Sequence, residues 1–150
     1  MIRSGGVVRN QFLVGLCLLI LTFSGGAVQR DGGQPSASEQ LLGTWSGTWD
    51  GAGSGGGFEL TLERDKDGAL AGRVAVTGEP TYKATLKSVA FEGRKMNAKY
   101  DFPPDDAAEV ILAASFEGES ATGTWSLREK ATGNEVASGG WKVAKKTQRE

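Results

Sequence analysis

The feature that most limits the fold of this chain is an alternation of apolar and polar residues from Leu41 onward. Successive side chains of a β-strand point to opposite faces, so a period of two predicts strands with one apolar face. Turn-forming residues interrupt the pattern about every ten positions, and no stretch after residue 40 keeps a helical period. We therefore expect an all-β antiparallel domain of eight strands: Leu41–Asp50, Phe58–Glu63, Ala69–Thr77, Tyr82–Phe91, Lys95–Phe102, Glu109–Glu117, Ser120–Arg128 and Val136–Val143.

The segments between these strands contain the residues that favour turns. Asp65–Gly68 predicts a tight hairpin, and the Gly-centred segments Glu92–Arg94 and Glu117–Glu119 predict short loops. Gly51–Gly57 contains five glycines and predicts a longer, mobile loop. The chain therefore has the turn spacing of an up-and-down sheet.

The alternation also separates two faces of the predicted sheet. A sheet that is polar on one side must bury its other side against itself or a partner. Closing the sheet buries that side and removes exposed strand edges. Our first expectation is therefore an eight-stranded antiparallel up-and-down β-barrel, and the alternative is a two-sheet β-sandwich. The apolar face also carries small residues, which either pair with large rings or leave a pocket: Gly72, Ala84, Ala98, Ala114, Ala121 and Gly123.

Residues 1–27 have the pattern of a secretory signal peptide. Arg3 and Arg9 form a positive leader, Phe12–Phe23 is an apolar run, and Ser24–Ala27 offers small residues for cleavage. The apolar run is shorter than the roughly 20 residues that a membrane-spanning helix needs. This length favours a cleaved signal over the alternative, an uncleaved anchor, and predicts a secreted or periplasmic protein.

The rest of the chain divides into three parts. Residues 28–40 are polar and contain several Gly, Ser and Gln residues, which predicts a flexible linker. Residues 41–146 form the expected β-barrel domain, and residues 147–150 form a C-terminal tail. Because the predicted signal is removed, we expect no membrane segment in the mature protein.

Charge and composition exclude several classes of function. The 150-residue chain has a net charge of −1 and no histidine, and its single cysteine, Cys17, lies in the predicted signal. Removing the signal takes away two arginines and no acid, so the mature protein is more acidic still, which argues against nucleic-acid binding. Without histidine or a mature cysteine, no Ser-His-acid triad, Cys-His pair or histidine metal site can form. The acids lie on the polar face or in turns, so we expect neither an enzyme nor a bound metal or cofactor.

A Gly-x-Trp motif recurs on the predicted strands. It occurs as Gly43-Thr44-Trp45, Gly47-Thr48-Trp49 and Gly123-Thr124-Trp125, with Gly140-Trp141 as a looser variant. Glycine and tryptophan two residues apart share one face of a strand, so small and large side chains alternate on the inner face of a tightly curved sheet. We interpret four of these residues as a structural plug of the barrel: Gly43, Trp45, Gly123 and Trp125.

These motifs resemble those of the calycin group, which comprises lipocalins, fatty-acid-binding proteins and avidins. Lipocalins carry Gly-x-Trp on the first barrel strand, and Leu42–Trp45 together with Asp67–Leu70 and Gly72 is similar to the first avidin hairpin. The resemblance implies a barrel with a ligand in its interior. Avidins place an Asn where this chain has Gly47 and a Tyr where it has Val74, so the resemblance does not extend to biotin binding.

Two functions follow as expectations. The first is a secreted lipocalin-like barrel that binds a small apolar or amphipathic ligand through Trp49, Tyr82, Tyr100 and Trp141 near one end. The second is a protein-interaction module with a filled interior, similar to barrel-shaped protease inhibitors, acting through its loops or linker. A barrel of eight strands has room for packed side chains or one small ligand, so the state of the interior distinguishes the two.

Overall fold

The computed structural model describes residues 36–147, where nine strands form one antiparallel sheet. The strands are β1 (Gly43–Gly51), β2 (Ser54–Arg64), β3 (Leu70–Val76), β4 (Tyr82–Thr85), β5 (Ser88–Glu92), β6 (Lys95–Asp101), β7 (Ala108–Glu117), β8 (Ser120–Glu129) and β9 (Glu135–Lys145). Their order in the sheet is β4-β3-β2-β1-β9-β8-β7-β6-β5. The predicted all-β antiparallel class is confirmed. The predicted signal, most of the linker and nearly all of the C-terminal tail lie outside the described residues.

The sheet curls until its two edge strands, β4 and β5, come close together. The chain passes from one edge to the other at Leu86 and Lys87. The Leu86 N–H donates to the Gly72 carbonyl of β3 at 2.9 Å, and the Lys87 N–H donates to the Lys99 carbonyl of β6 at 2.8 Å. The described residues thus form a curled up-and-down sheet of nine strands in which β4 and β5 are not paired with each other. Closure of the sheet into the expected barrel stays a prediction.

The predicted strand Tyr82–Phe91 is two strands, which corrects the count of eight. Tyr82 and Leu86 face the core on one side of the break, and Val89 and Phe91 face it on the other. The inward positions are therefore even-numbered in β4 and odd-numbered in β5. This change of face lets the first half pair with β3 and the second half pair with β6.

The segment Gly51–Gly57, predicted to be a mobile loop, is mostly strand. β1 and β2 are joined by the two-residue turn Ala52-Gly53, whose φ angles are 53° and 74°. Positive φ at both central residues is the geometry of a type I′ turn, whose twist matches that of the flanking strands. The ladder consequently extends to the Gly51–Ser54 pair, and it brings Trp49 opposite Gly56.

The predicted separation of the two faces is confirmed. The outer face is polar, and the inner face holds the buried core. At one end of the sheet the core is filled by side chains that are less than 2% exposed: Trp45, Leu60, Leu62, Met96 and Phe116. The interior at this end therefore has the packing expected for a solid core.

Residues 36–40 belong to the predicted linker and lie within the described part of the chain. Glu39–Leu41 forms a 3-10 turn, and Leu41 is 2% exposed. The carbonyl of Leu41 accepts a hydrogen bond from Trp45 Nε1 at 3.0 Å. Leu41, the residue that directly follows the predicted linker, is thus joined to the filled end of the core. In the described part of the chain, no helix has the length and apolarity to cross a membrane.

Candidate functional site

A cavity of about 220 Å³ lies on the inner face at the end of the sheet opposite Trp45. Its rim is formed by the β1–β2 turn and by the segment between β3 and β4, with Ala52, Ser54, Glu79 and Pro80 exposed there. Its walls are aromatic and aliphatic: Trp49, Phe58, Val76, Tyr82, Tyr100, Phe102, Val110, Leu112, Trp125, Leu127, Ala137 and Trp141. The interior is therefore filled at one end and hollow at the other.

All four residues predicted to contact a ligand line this one cavity, although they come from four different strands. Tyr100 and Trp141 are 1% and 4% exposed, whereas Trp49 and Tyr82 are half-buried nearer the rim. The strand order makes this convergence possible, because β1 pairs with β9 and β4 approaches β6 as the sheet curls. Their role as ligand contacts stays a prediction.

The structure separates the four residues that the sequence grouped as a plug. Trp45 is fully buried at the filled end, where its ring meets Phe116 edge to face at a centroid distance of 4.9 Å. Trp125 is half-buried and lines the cavity instead, with its ring 5.9 Å from that of Trp49. Gly43 begins β1 with φ of 120°, and Gly123 lies against Trp141. Only Trp45 has the surroundings of a plug.

Glycines on neighbouring strands give the cavity tryptophans their space. Gly123 is paired with Trp141, and Gly139 is paired with Trp125. A Cβ added to Gly123 or to Gly139 would lie 2.7 Å from the indole of its paired tryptophan. The inward position of Gly123 was predicted, but the glycine that makes room for a tryptophan is on the adjacent strand, not two residues earlier in the same motif.

The indole N–H groups of the cavity tryptophans are already used. Trp49 Nε1 donates to the Thr77 carbonyl at 3.0 Å, and Trp125 Nε1 donates to the Asp50 carbonyl at 2.9 Å. Trp141 Nε1 donates to the Thr124 carbonyl at 3.1 Å. These bonds fix the rings, and they leave the aromatic surfaces rather than the N–H groups available to the cavity.

Tyr82 and Tyr100 supply the polar part of the walls. Their hydroxyl oxygens are 2.9 Å apart and form a hydrogen bond in which either group can donate. Burial raises the pKa of Tyr82, and burial together with the neighbouring phenol raises the pKa of Tyr100. Both phenols are therefore neutral across the physiological range.

The chain has only these two tyrosines, so their ionisation can be measured without interference. We expect both pKa values in the folded protein to lie above the ordinary value of 10.0. The tyrosine pKa values are higher in the folded protein than in the unfolded chain. The contribution of these neutral phenols to the free energy of unfolding is therefore fully present below about pH 10, and it is lost as the pH rises through the pKa values of the folded protein. Absorbance titration of tyrosinate in native and urea-unfolded protein tests this, and a native transition at the unfolded pH would contradict it.

Several wall residues were missed as ligand contacts. Phe102 follows Tyr100 by two positions and therefore shares its face, a signal that the alternation contains. Its ring lies 5.4 Å from that of Tyr82 in an edge-to-face contact. Pro80 and Ala52 had no such signal, because their positions depend on the turns that form the rim.

Comparisons with known proteins give no relative for this chain. No protein-family model matches it, and searches of curated proteins and of solved structures likewise found no match. The resemblance to calycins stays a prediction from the Gly-x-Trp motifs, and the structure shows a curled antiparallel sheet that is compatible with a barrel.

Proposed function

We propose that this protein binds a small apolar or amphipathic molecule in the cavity lined by Trp49, Tyr82, Tyr100 and Trp141. The observation that carries the proposal is the hollow end itself, since four aromatic residues from separate strands surround one space of about 220 Å³. Ligand sites are concave, mostly apolar and provided with a few polar groups, and this cavity has that character.

The volume and the walls support a ligand with one or two rings. A dry apolar cavity of roughly 150 Å³ accommodates benzene. A space of about 220 Å³ accommodates one ring with several further atoms, or two fused rings. Aromatic walls favour an aromatic ligand, because contacts between aromatic rings stabilise the complex beyond the contribution of buried apolar area.

The proposal includes the cellular context and the finer fold class. We propose an exported, lipocalin-like barrel, supported by the signal pattern of residues 1–27 and by the approach of the two sheet edges at Leu86 and Lys87. We propose binding without catalysis, because the chain has no histidine and its only cysteine is Cys17.

The interaction module with a filled interior has less support. This alternative requires a filled interior. The interior is filled at the end around Trp45, but it is open at the end around Trp141. Among residues 36–147, the one large hydrophobic residue that is strongly exposed is Val136, at 60%. An apolar docking patch of the usual kind would require several such residues together.

Binding is expected to change three of the four tryptophan indole signals in a proton–nitrogen correlation spectrum. With α-methylstyrene as the probe, the signals of Trp49, Trp125 and Trp141 shift because these residues line the cavity. The signal of Trp45 stays unchanged, because its ring is buried at the other end, which gives an internal control. For so small a ligand we expect a dissociation constant on the order of 0.1–1 mM.

A pair of variants on β9 sharpens the measurement. Ala137 lines the cavity, and Ala144 on the same strand is exposed on the outer face. We expect Ala137→Leu to reduce or abolish the indole shifts by filling the cavity, whereas Ala144→Leu preserves them. Unchanged spectra with every small aromatic probe, or equal effects of the two variants, would refute the proposed function.

A further inference from the structure

We propose that the ligand of this cavity is uncharged and carries one hydrogen-bond acceptor, such as a carbonyl oxygen, at the end that meets Tyr82 and Tyr100. The inference rests on the proposed function and narrows the class of ligand. It follows from the number of free donors in the walls and from the charges around them.

The cavity walls contain one phenol O–H group that donates no hydrogen bond within the described residues. The two phenols carry two O–H groups, and the bond between their oxygens, 2.9 Å long, uses one of them. Within the described residues, neither hydroxyl has another hydrogen-bond partner, so the second O–H remains free to donate into the cavity. The three indole N–H groups are bonded to backbone carbonyls. The phenol pair is thus the single place where these aromatic walls can donate to a ligand.

The walls provide no counter-ion for a buried charge. Among the residues that the structure describes, none that lines the cavity is Lys or Arg, so a carboxylate would enter without a positive partner. Within residues 36–147, Glu79 is the one charged residue that lines the cavity, and it is exposed at the rim. A charge deep in an apolar site is unfavourable without a partner. Burial raises the pKa values of both tyrosines, so the phenols themselves add no charge.

Four probes of similar size distinguish these properties. Acetophenone and α-methylstyrene differ in having a carbonyl oxygen or a methylene group at the same position. Benzoate and phenyltrimethylammonium add a negative and a positive charge. Titrations are followed through the indole signals of Trp49, Trp125 and Trp141, with the signal of Trp45 as reference. We expect the two neutral probes to bind more tightly than both ions.

The contribution of the phenols is measured with the double variant Tyr82→Phe/Tyr100→Phe. Replacing both hydrogen-bonding partners leaves no polar group unpaired, so the variant should fold. A neutral hydrogen bond corresponds to about a fivefold change in affinity. We therefore expect the ratio of acetophenone to α-methylstyrene affinity to fall about fivefold in the variant. Comparing this ratio between the original protein and the double variant cancels the difference in hydration between the two probes.

Each result has a defined meaning. An unchanged affinity ratio in the double variant, or tighter binding of either ion, overturns the inference but leaves the proposed function standing. Failure of all four probes to shift the cavity indoles refutes the proposed function itself. An unchanged Trp45 signal in the double variant establishes that loss of the ratio does not come from unfolding.

Discussion

Replacing Trp45 with alanine is expected to lower the free energy of unfolding by about 3–5 kcal/mol, the range typical of a large aromatic residue removed from a core. Trp45 is fully buried, its ring packs edge to face on Phe116, and its Nε1 donates to the carbonyl of Leu41. The substitution removes these contacts together and leaves a cavity among the buried side chains of the filled end. Urea unfolding followed by far-ultraviolet circular dichroism measures the loss.

Val136→Ala is the matched control for Trp45→Ala. Val136 is 60% exposed, so its truncation should change the free energy of unfolding by no more than about 0.5 kcal/mol. If Trp45→Ala costs less than about 1 kcal/mol, the ring does not have the packing described above. Because Trp45 lies outside the cavity, any folded fraction of the variant should still bind the probes.

Alanine at two adjacent glycines of β9 is expected to have opposite consequences. A Cβ at Gly139 would overlap the Asp50 carbonyl oxygen and lie 2.7 Å from Trp125 Nε1, the two atoms that form the Trp125 hydrogen bond. At Gly140 the nearest atom would be Asp50 Oδ1 at 3.4 Å. We expect Gly139→Ala to destabilise the protein by about 2–4 kcal/mol through steric conflict and a lost hydrogen bond.

Gly140→Ala should be nearly neutral or slightly stabilising, because alanine restricts the unfolded chain more than glycine does. Urea titration of both variants compares them directly. The indole signal of Trp125 adds a local readout, since it should move in Gly139→Ala and hold its position in Gly140→Ala. Equal free energies of unfolding for the two variants would show that a glycine at position 139 is not required for the packing and hydrogen bond of the Trp125 indole.

The strand class and the inner face were predictable because a period of two carries information about every strand. The break between β4 and β5 was not, since the segment from Tyr82 to Phe91 looks continuous until the face changes after Leu86. The β1–β2 turn was missed for another reason. Its glycines have weak strand propensity, so local preference does not hold the segment in the sheet. The segment is held by the pairing of β2 with β1 and by the pairing of Gly51 with Gly139 of β9.

Part of the cavity was predictable in the same way. The alternation places four aromatic residues on the apolar face near one end, and all four line one space: Trp49, Tyr82, Tyr100 and Trp141. The position of Trp125 could not be predicted from its motif, because it depends on Gly139 of the adjacent strand. Cross-strand register is a long-range property that a single motif does not contain.

The crossing at Leu86 and Lys87 has a consequence for the dynamics of the protein. Two backbone hydrogen bonds join this crossing to β3 and β6, whereas the interior pairs of strands share full ladders. Local opening is easiest where few hydrogen bonds must break. Amide hydrogens of β4, β5 and the crossing between them should therefore exchange with solvent sooner than those of β7 and β8. Tyr82 of β4 is hydrogen-bonded to Tyr100 of β6, on the other side of the crossing. A ligand bound by both phenols would therefore also slow the exchange of these amide hydrogens.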